Sequence, residues 1–268
     1  MLKDITIGQY FPGDTFVHRL DPRVKILISI MFITSLFFIK DFYVYIFIFG
    51  FILFSIILSK IPIKFVLKGL KPLMLIIIIT FTINVFLTKG EVIFKIGPLS
   101  VTKEGLSQAV FMALRLIFLI TGTSLLTLTT SPISLTDGIE KLLSPFKKVG
   151  LPAHELAMMM TIALRFIPTL LEETDKIMKA QMARGADFES GNVINRAKNL
   201  VPLLVPLFVN AFRRADELAI AMEARCYRGG EKRTRLNELT LDKQDGLALI
   251  LATVFFGFVI STKYINYI

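Results

Sequence analysis

The dipeptide Ala-Arg occurs twice in closely similar surroundings, as Ala183-Arg184 and as Ala224-Arg225. It lies in the stretches DKIMKAQMARGADF and DELAIAMEARCYRG, which both begin with Asp and reach Ala-Arg at the same offset. An arginine guanidinium presents a planar set of N–H donors that can bond several acceptors, and a neighbouring Ala lets another backbone approach. The alternative is an ordinary helix end, where Arg bonds the last carbonyl groups and Gly follows. The pattern therefore indicates either two unrelated helix ends or a docking device used twice.

Motifs for catalysis are missing from the sequence. No G-x-x-x-x-G-K-[ST] phosphate loop occurs, and the GGEK at 229–232 has neither its spacing nor a following Ser or Thr. G-x-S-x-G, H-E-x-x-H and C-x-x-C are absent as well. One cysteine and two histidines make a poor set of metal ligands. We therefore expect no enzymatic activity, no cofactor and no metal site in this chain.

The composition is that of a membrane protein. Hydrophobic residues make up 54% of the 268 positions, and the mean hydropathy is +0.66. These residues are concentrated in five blocks, at 26–39, 42–59, 73–87, 106–130 and 246–262. A helix needs about 20 residues to cross a bilayer, which the blocks reach alone or with their polar flanks. Because the blocks are apolar all round, helices are predicted rather than barrel strands. The predicted fold is an all-α integral membrane protein with about five transmembrane helices in the lipid bilayer.

The basic residues predict the orientation in the membrane. Lys and Arg are abundant before the first block, between the second and third blocks, and between the fourth and fifth. The other two connections hold fewer of them, and acidic residues offset part of that charge. By the positive-inside rule we expect a multi-pass protein with a cytoplasmic N-terminus. The abundance of Ile, Lys and Phe is typical of an AT-rich bacterial genome, so the expected location is a bacterial cell membrane. No nucleic-acid-binding motif accompanies the net charge of +10, so nucleic acid is not an expected partner.

The region between the fourth and fifth blocks is too interrupted to contain ordinary spans. Its apolar stretches are broken by Arg165, Pro168 and further prolines. Such stretches belong more often to packed or interfacial helices than to membrane crossings. The sequence is therefore expected to comprise 1–130 (an N-terminal segment and four spans), 131–240 (cytoplasmic helices) and 241–268 (the last span).

Polar spacing predicts two long helices in this cytoplasmic region. One extends from Glu155 to Arg184 and the other covers 193–228, and each begins apolar and ends charged at Ala-Arg. A shorter helix over 133–149 is expected before them, opened by Ser134 or by Thr136 with Asp137. If both long helices crossed the membrane, the two Ala-Arg motifs would face opposite sides and could not serve as one device. We therefore expect neither helix to cross.

Four other charged residues are candidates for structural or interface roles. Arg115 lies near the middle of the fourth block, where a charge requires either internal pairing or a partner protein. Arg165 interrupts an apolar helix. Asp21 and Arg23 flank Pro22 just before the first block, where Asp21 is expected to cap the first span.

Several motifs together resemble the transmembrane T component of energy-coupling factor (ECF) transporters, the CbiQ-like family. They are GQYFPGDTFVHRLDPRVK at 8–25, LRFIP at 164–168, AQMARG at 180–185 and MEARCYRGG at 222–230. The resemblance implies a non-enzymatic subunit that joins two ABC-type ATPases to a small membrane-embedded, substrate-binding S component. It also implies that the cytoplasmic helices are coupling helices, which transmit ATP-driven motion for vitamin or transition-metal uptake.

The family's ATPase-coupling motifs correspond to Ala183-Arg184-Gly185 and to Ala224-Arg225-Cys226. Cys226 departs from the pattern, because Gly is usual at this position and tolerates a left-handed backbone better. Cys226 could instead extend the helix, with Gly229-Gly230 ending it. The main alternative function is an autonomous secondary transporter or channel, which would place ionisable groups or broken helices at the midplane, in repeated halves. A membrane-anchored enzyme and an ordinary ABC importer permease fit the sequence less well.

Overall fold

The computed structural model describes residues 10–96, 99–188, 193–229 and 239–265. It is 81% helical. The helices are, in chain order, α1 (Phe16–Arg19), α2 (Pro22–Phe38), α3 (Val44–Ser59), α4 (Ile63–Leu70), α5 (Met74–Leu87), α6 (Lys103–Thr129), α7 (Pro132–Leu143), α8 (Ala153–Ala183), α9 (Val193–Ala224) and α10 (Lys243–Ile265). Two 3₁₀ segments, Lys71–Leu73 and Ser144–Val149, follow α4 and α7.

The chain divides into two compact units. Among the described residues, the span unit comprises 10–96, 99–138 and 239–265, and the long-helix unit comprises 139–188 and 193–229. The span unit therefore holds α1 to α6 and α10, and the long-helix unit holds α8 and α9.

The core of the span unit lies where α2, α3, α6 and α10 pack together. Leu36, Ile48 and Phe256 are among its fully buried side chains. α6 packs closely against α2 at Gly122, where an added Cβ atom would collide with the ring of Phe32. This packing therefore requires a residue without a side chain at position 122.

The outer surface of the span unit is apolar. Ile46, Leu75 and Val254 are 68%, 66% and 67% exposed, and many neighbouring Phe, Ile and Leu side chains are exposed too. Soluble proteins rarely expose contiguous apolar surface on this scale, whereas lipid chains offer it suitable surroundings. The prediction of an all-α integral membrane protein is confirmed.

Four helical segments in the described part of the chain are long and apolar enough to cross a membrane, as judged by length and composition. They are Ile63–Leu87, Lys103–Thr129, Ala153–Ala183 and Lys243–Thr262. Three of them contain the predicted third, fourth and fifth spans. The predicted first and second spans form α2 and α3, whose 17 and 16 residues need flanking residues to cover a hydrocarbon core about 30 Å thick. The remaining segment, α8, is one that the sequence analysis expects not to cross.

A small antiparallel sheet joins α5 to α6, which the sequence analysis does not predict. It consists of β1 (Val92–Ile96) and β2 (Leu99–Thr102). Thr102 ends the hairpin and caps α6, because its hydroxyl accepts a hydrogen bond from the Gly105 N–H at 3.0 Å. The hairpin is thus tied to the start of the helix that follows it.

The three helices predicted between the fourth and fifth blocks are present, with corrected ends. α8 continues past Pro168, and α9 ends at Ala224 rather than at 228. α7 begins at Pro132, and the Ser134 N–H donates to the Ser131 hydroxyl at 3.1 Å. The prediction that Ser134 or Thr136 opens this helix is wrong, because proline is favourable in the first helical turn and Ser131 supplies the cap.

Candidate functional site

The first Ala-Arg motif ends α8 in a Schellman turn. Arg184 is the C-cap residue, and Gly185 follows it with a left-handed φ of 90°. The Gly185 N–H donates to the Met182 carbonyl at 2.9 Å, and the Ala186 N–H donates to the Gln181 carbonyl at 3.0 Å. These bonds satisfy carbonyl groups of the last helical turn and lead the chain away, so the Ala-Arg pair forms the tip of the helix.

The second motif ends α9 in the same turn. Cys226 has a left-handed φ of 56°, its N–H donates to the Glu223 carbonyl at 2.8 Å, and the Tyr227 N–H donates to the Met222 carbonyl at 3.0 Å. Cys226 therefore occupies the place that Gly185 has in the first motif. The alternative in which Cys226 extends the helix is wrong, because its left-handed backbone closes the turn after Arg225.

Both tips are exposed. The six residues of the two motifs, Ala183, Arg184, Gly185, Ala224, Arg225 and Cys226, all have exposed side chains or surfaces. Among the described residues, neither arginine has an ion-pair partner. Both motifs are thus true helix ends, and both guanidinium groups are accessible to acceptors on another molecule. Docking itself stays a prediction.

α8 and α9 pack side by side in opposite directions. The Asn210 amide donates to one carboxylate oxygen of Glu173 at 2.6 Å, and the Arg214 guanidinium lies 3.2 Å from the other oxygen. Near the end of α8, the Asn199 amide donates to the Asp187 carbonyl at 2.6 Å. The link at Glu173 cannot be predicted from the sequence, because side chains on two separate helices share no sequence pattern.

The antiparallel arrangement puts the two motifs at opposite ends of the helix pair. Arg225 lines one groove with Ile162 of α8, so the two residues lie at about the same level. From Ile162 to Arg184 there are 22 residues (184 minus 162) of α8 and its cap, or about 33 Å at a rise of about 1.5 Å per residue. The tips are therefore far enough apart to contact two different molecules.

The same groove is lined by three of the predicted site residues, Arg165, Arg225 and Cys226. Arg165 of α8 lies in it beside Arg225, and Arg228 joins them from the turn after α9. Arg228 is not among the residues predicted from the sequence. Its position in the groove depends on the left-handed turn at Cys226, which the sequence left as one of two alternatives.

Arg115 lies in the span unit and makes one hydrogen bond to a backbone carbonyl there. Its side chain is half-buried, and one guanidinium nitrogen donates to the Ile39 carbonyl at 2.9 Å, just after the end of α2. The guanidinium carbon is also 4.9 Å from the centroid of the Phe111 ring, which is close enough for a cation–π contact. The buried Nε of Arg115 has no hydrogen-bond partner in the described part of the chain, so the choice between internal pairing and a partner protein stays a prediction.

Asp21 and Arg23 form a buried cap at the start of α2. The Asp21 carboxylate accepts from the Arg23 backbone N–H at 2.8 Å and from the Arg23 guanidinium at 2.7 and 3.0 Å. The predicted capping role of Asp21 is confirmed. The Asp21 N–H in turn donates to Asp245 at 2.8 Å, and Asp245 also accepts from the Asp242 N–H at 2.9 Å. Asp245, an acidic residue in the first turn of α10, therefore ties the starts of α2 and α10 together.

His18 holds the N-terminal segment together through both of its ring nitrogens. Its Nε2–H donates to the Phe11 carbonyl at 3.0 Å, and its Nδ1 lies 2.7 Å from the Thr15 hydroxyl, which then donates to it. Burial lowers the pKa of His18 from its ordinary value of 6.5. In the described ranges, no group of three or more His, Cys, Asp or Glu side chains is placed to hold a metal ion.

Comparison with known proteins agrees with the membrane-protein fold. The CbiQ family, described as "Cobalt transport protein", matches residues 13–236. A protein of Thermosediminibacter oceani is 66% identical over 252 residues, covering 94% of this chain and 95% of its own length. Proteins of Clostridium kluyveri and Bacillus subtilis are 65% and 50% identical, over 95% and 96% of this chain and 95% and 99% of their own lengths. All three carry the name "Energy-coupling factor transporter transmembrane protein EcfT". The chain therefore belongs to the CbiQ family, as the transmembrane T component of an energy-coupling factor transporter.

Proposed function

We propose that this chain joins two cytoplasmic ABC-type ATPases to a membrane-embedded, substrate-binding S component and transmits ATP-driven motion between them. The observation that carries the proposal is the pair of exposed, arginine-tipped helix ends, which share one backbone turn and lie at opposite ends of a single helix pair. Both the CbiQ match and the EcfT name of the relatives support it. In this account the chain is not an enzyme, and ATP hydrolysis belongs to the partner subunits.

The local chemistry of each tip suits insertion into a groove on a partner. The Schellman turn removes the chain from the helix axis directly after Arg, so only a narrow end projects. Ala183 and Ala224 add little bulk beside the arginines, which allows a partner's backbone to come close. The guanidinium can then bond several carbonyl or carboxylate oxygens of the partner at once, which a lysine ammonium does less well.

The helix pair suits the transfer of motion from two ATPases. Each tip contacts one ATPase in this account, and the distance of about 33 Å between tips prevents one small surface from engaging both. The Glu173 link to Asn210 and Arg214 holds α8 against α9 between the tips. A displacement of one tip is therefore passed along a connected pair of helices.

The proposal requires both tips on the cytoplasmic side, where ATP is available. The basic connections support a cytoplasmic N-terminus and a cytoplasmic coupling region over 131–240. α8 has the length and hydropathy of a span. If it crossed, the antiparallel pair would carry its two tips to opposite faces of the membrane, and only one could reach an ATPase.

The S component is expected to contact the apolar surface of the chain within the membrane. Exposed residues of α9, such as Leu204, Phe208 and Phe212, form an apolar stripe that could also face this partner or lipid. The S component would select the cargo, and we propose a vitamin or a transition-metal ion as the cargo class.

Arginine substitutions test the proposal directly. Arg184→Ala and Arg225→Ala should each leave membrane insertion intact, because both side chains are exposed. Each should reduce ATPase retention on the detergent-purified complex and lower uptake in cells, because an arginine buried at an interface is often worth about 2 kcal/mol or more. Arg→Lys should rescue poorly. Wild-type retention and uptake in the double Arg→Ala variant would reduce both motifs to plain helix ends.

A further inference from the structure

The two helix tips differ in the charge that surrounds them. In the turn after the motif, Asp187 follows Arg184 at the same offset at which Arg228 follows Arg225. The second tip also borders a groove of about 590 Å³ that contains Arg165, Arg225 and Arg228. The two tips therefore share a backbone turn but present different electrostatic surroundings.

The groove at the second tip is lined by positive charge. Among the described residues that line it, none is Asp or Glu. Within the described ranges, none of its three arginines has an ion-pair partner. Like charges in one concave site raise the local positive potential, which favours an anionic occupant.

The same groove offers apolar contacts beside its arginines. Met158 and Phe166 of α8 face Met222 of α9 across it, and all three are partly exposed. Methionine side chains adapt to the shape of a bound partner, and aromatic rings bury a large apolar area. The occupant is therefore expected to carry apolar side chains next to its acidic groups.

We infer that the groove at the second tip binds a segment of one ATPase that bears carboxylate groups beside apolar side chains. This inference rests on the proposed docking function and adds the chemistry of one partner. The charge difference between Asp187 and Arg228 makes the two docking sites non-equivalent, so each tip selects a different ATPase surface. The shared turn favours a protein partner at both tips over an anionic lipid at one of them.

Chemical cross-linking in the purified full complex tests which groups meet in the groove. Arg228→Lys places a primary amine there, and a carbodiimide joins such an amine to a contacting carboxylate as an amide, with loss of water. We expect a cross-linked peptide between position 228 and an Asp or Glu of one ATPase, identified by mass spectrometry. Arg213→Lys, on an exposed position of α9 outside the groove, is the matched control and should give no ATPase cross-link. Absence of the ATPase cross-link at position 228 would overturn the inference.

Binding measurements separate this inference from the docking proposal. Arg165→Gln combined with Arg228→Gln keeps both Ala-Arg motifs and should weaken binding of one ATPase by about tenfold, more strongly at low salt, and leave the other unchanged. Arg213→Gln should change neither. If Arg225→Ala loses one ATPase but the groove variant binds both as the wild type does, the inference about the groove is wrong and the docking proposal stands. Wild-type ATPase binding in Arg225→Ala would overturn the docking proposal itself.

Binding to lipid vesicles tests the alternative that an anionic lipid, rather than an ATPase segment, occupies the groove. If the groove variant keeps both ATPases but loses binding to phosphatidylglycerol vesicles relative to Arg213→Gln, an anionic lipid occupies the groove and the inference is wrong.

Discussion

Replacing Cys226 by Gly should slow the opening of the turn that ends α9. Cys226 holds a φ of 56°, a left-handed conformation that costs an L-residue about 1–2 kcal/mol and costs glycine almost nothing. Glycine also increases the conformational entropy of the unfolded chain, which reduces the stabilisation by about 0.4–1 kcal/mol. The thiol is exposed, so its removal loses no burial. The net gain is about 0.5–1 kcal/mol in the free energy of local opening.

Amide hydrogen exchange, followed by mass spectrometry on a peptide covering 220–229, measures this local opening. The gain corresponds to about two- to fivefold slower exchange of the N–H groups of Cys226 and Tyr227, which close the turn. Cys226→Ala keeps the Cβ atom and should leave the exchange rate unchanged. Gly185→Ala should speed exchange at the first tip, where an added Cβ meets no atom within 4 Å and only backbone strain acts.

Equal amide exchange rates in the Cys226→Gly and Cys226→Ala variants would contradict this prediction. That result would mean that the left-handed backbone at this position carries no cost. It would also remove the argument that the two tips share one turn despite their different residues.

Three further changes probe other parts of the structure. Gly122→Ala should destabilise the span unit by about 1–3 kcal/mol in detergent thermal unfolding, because the methyl group collides with Phe32, whereas Gly257→Ala, with open space around it, should not. A double-mutant cycle with Glu173→Ala and Asn210→Ala should give a coupling free energy of about 1 kcal/mol, and additive effects would contradict the link between α8 and α9. The pKa of His18 is lower in the folded protein than in the unfolded chain. As the pH falls below about 6.5, the unfolded chain therefore binds more protons at this residue, and the free energy of unfolding decreases. A His18→Gln variant should lose less thermal stability than the wild type between pH 7.5 and 5.5, and equal losses would contradict the assigned neutral state.

Sequence periodicity predicts the long helices well because their apolar and polar faces repeat along tens of residues. The ends of α8 and α9 are less predictable. Gly185 indicates a helix end at the first motif, but Cys226 does not, since only the fold shows that it takes a left-handed conformation. Composition predicts that the chain is a membrane protein. It does not decide whether α8 crosses the membrane, because an amphipathic helix of this length also has the length and hydropathy of a span.

The site residues divide in the same way. The Ala-Arg repeat and the cap at Asp21 are local patterns, and both can be read from the sequence. The hydrogen bond from Arg115 to the Ile39 carbonyl depends on the packing of distant segments, and so does the groove that Arg165 and Arg228 both line. Sequence spacing alone does not contain that information, so it left Arg115 with two alternatives and missed Arg228.

The most direct test of the coupling account is the side of the membrane that each tip faces. In a Cys226→Ser background, single cysteines introduced by Ser190→Cys and by Lys232→Cys report on the segments that follow the first and second motifs. An impermeant thiol reagent added outside intact cells should label neither position, and both should react after the cells are opened. Labelling of position 190 from outside, with position 232 protected, would place the two arginine tips on opposite faces and contradict the account.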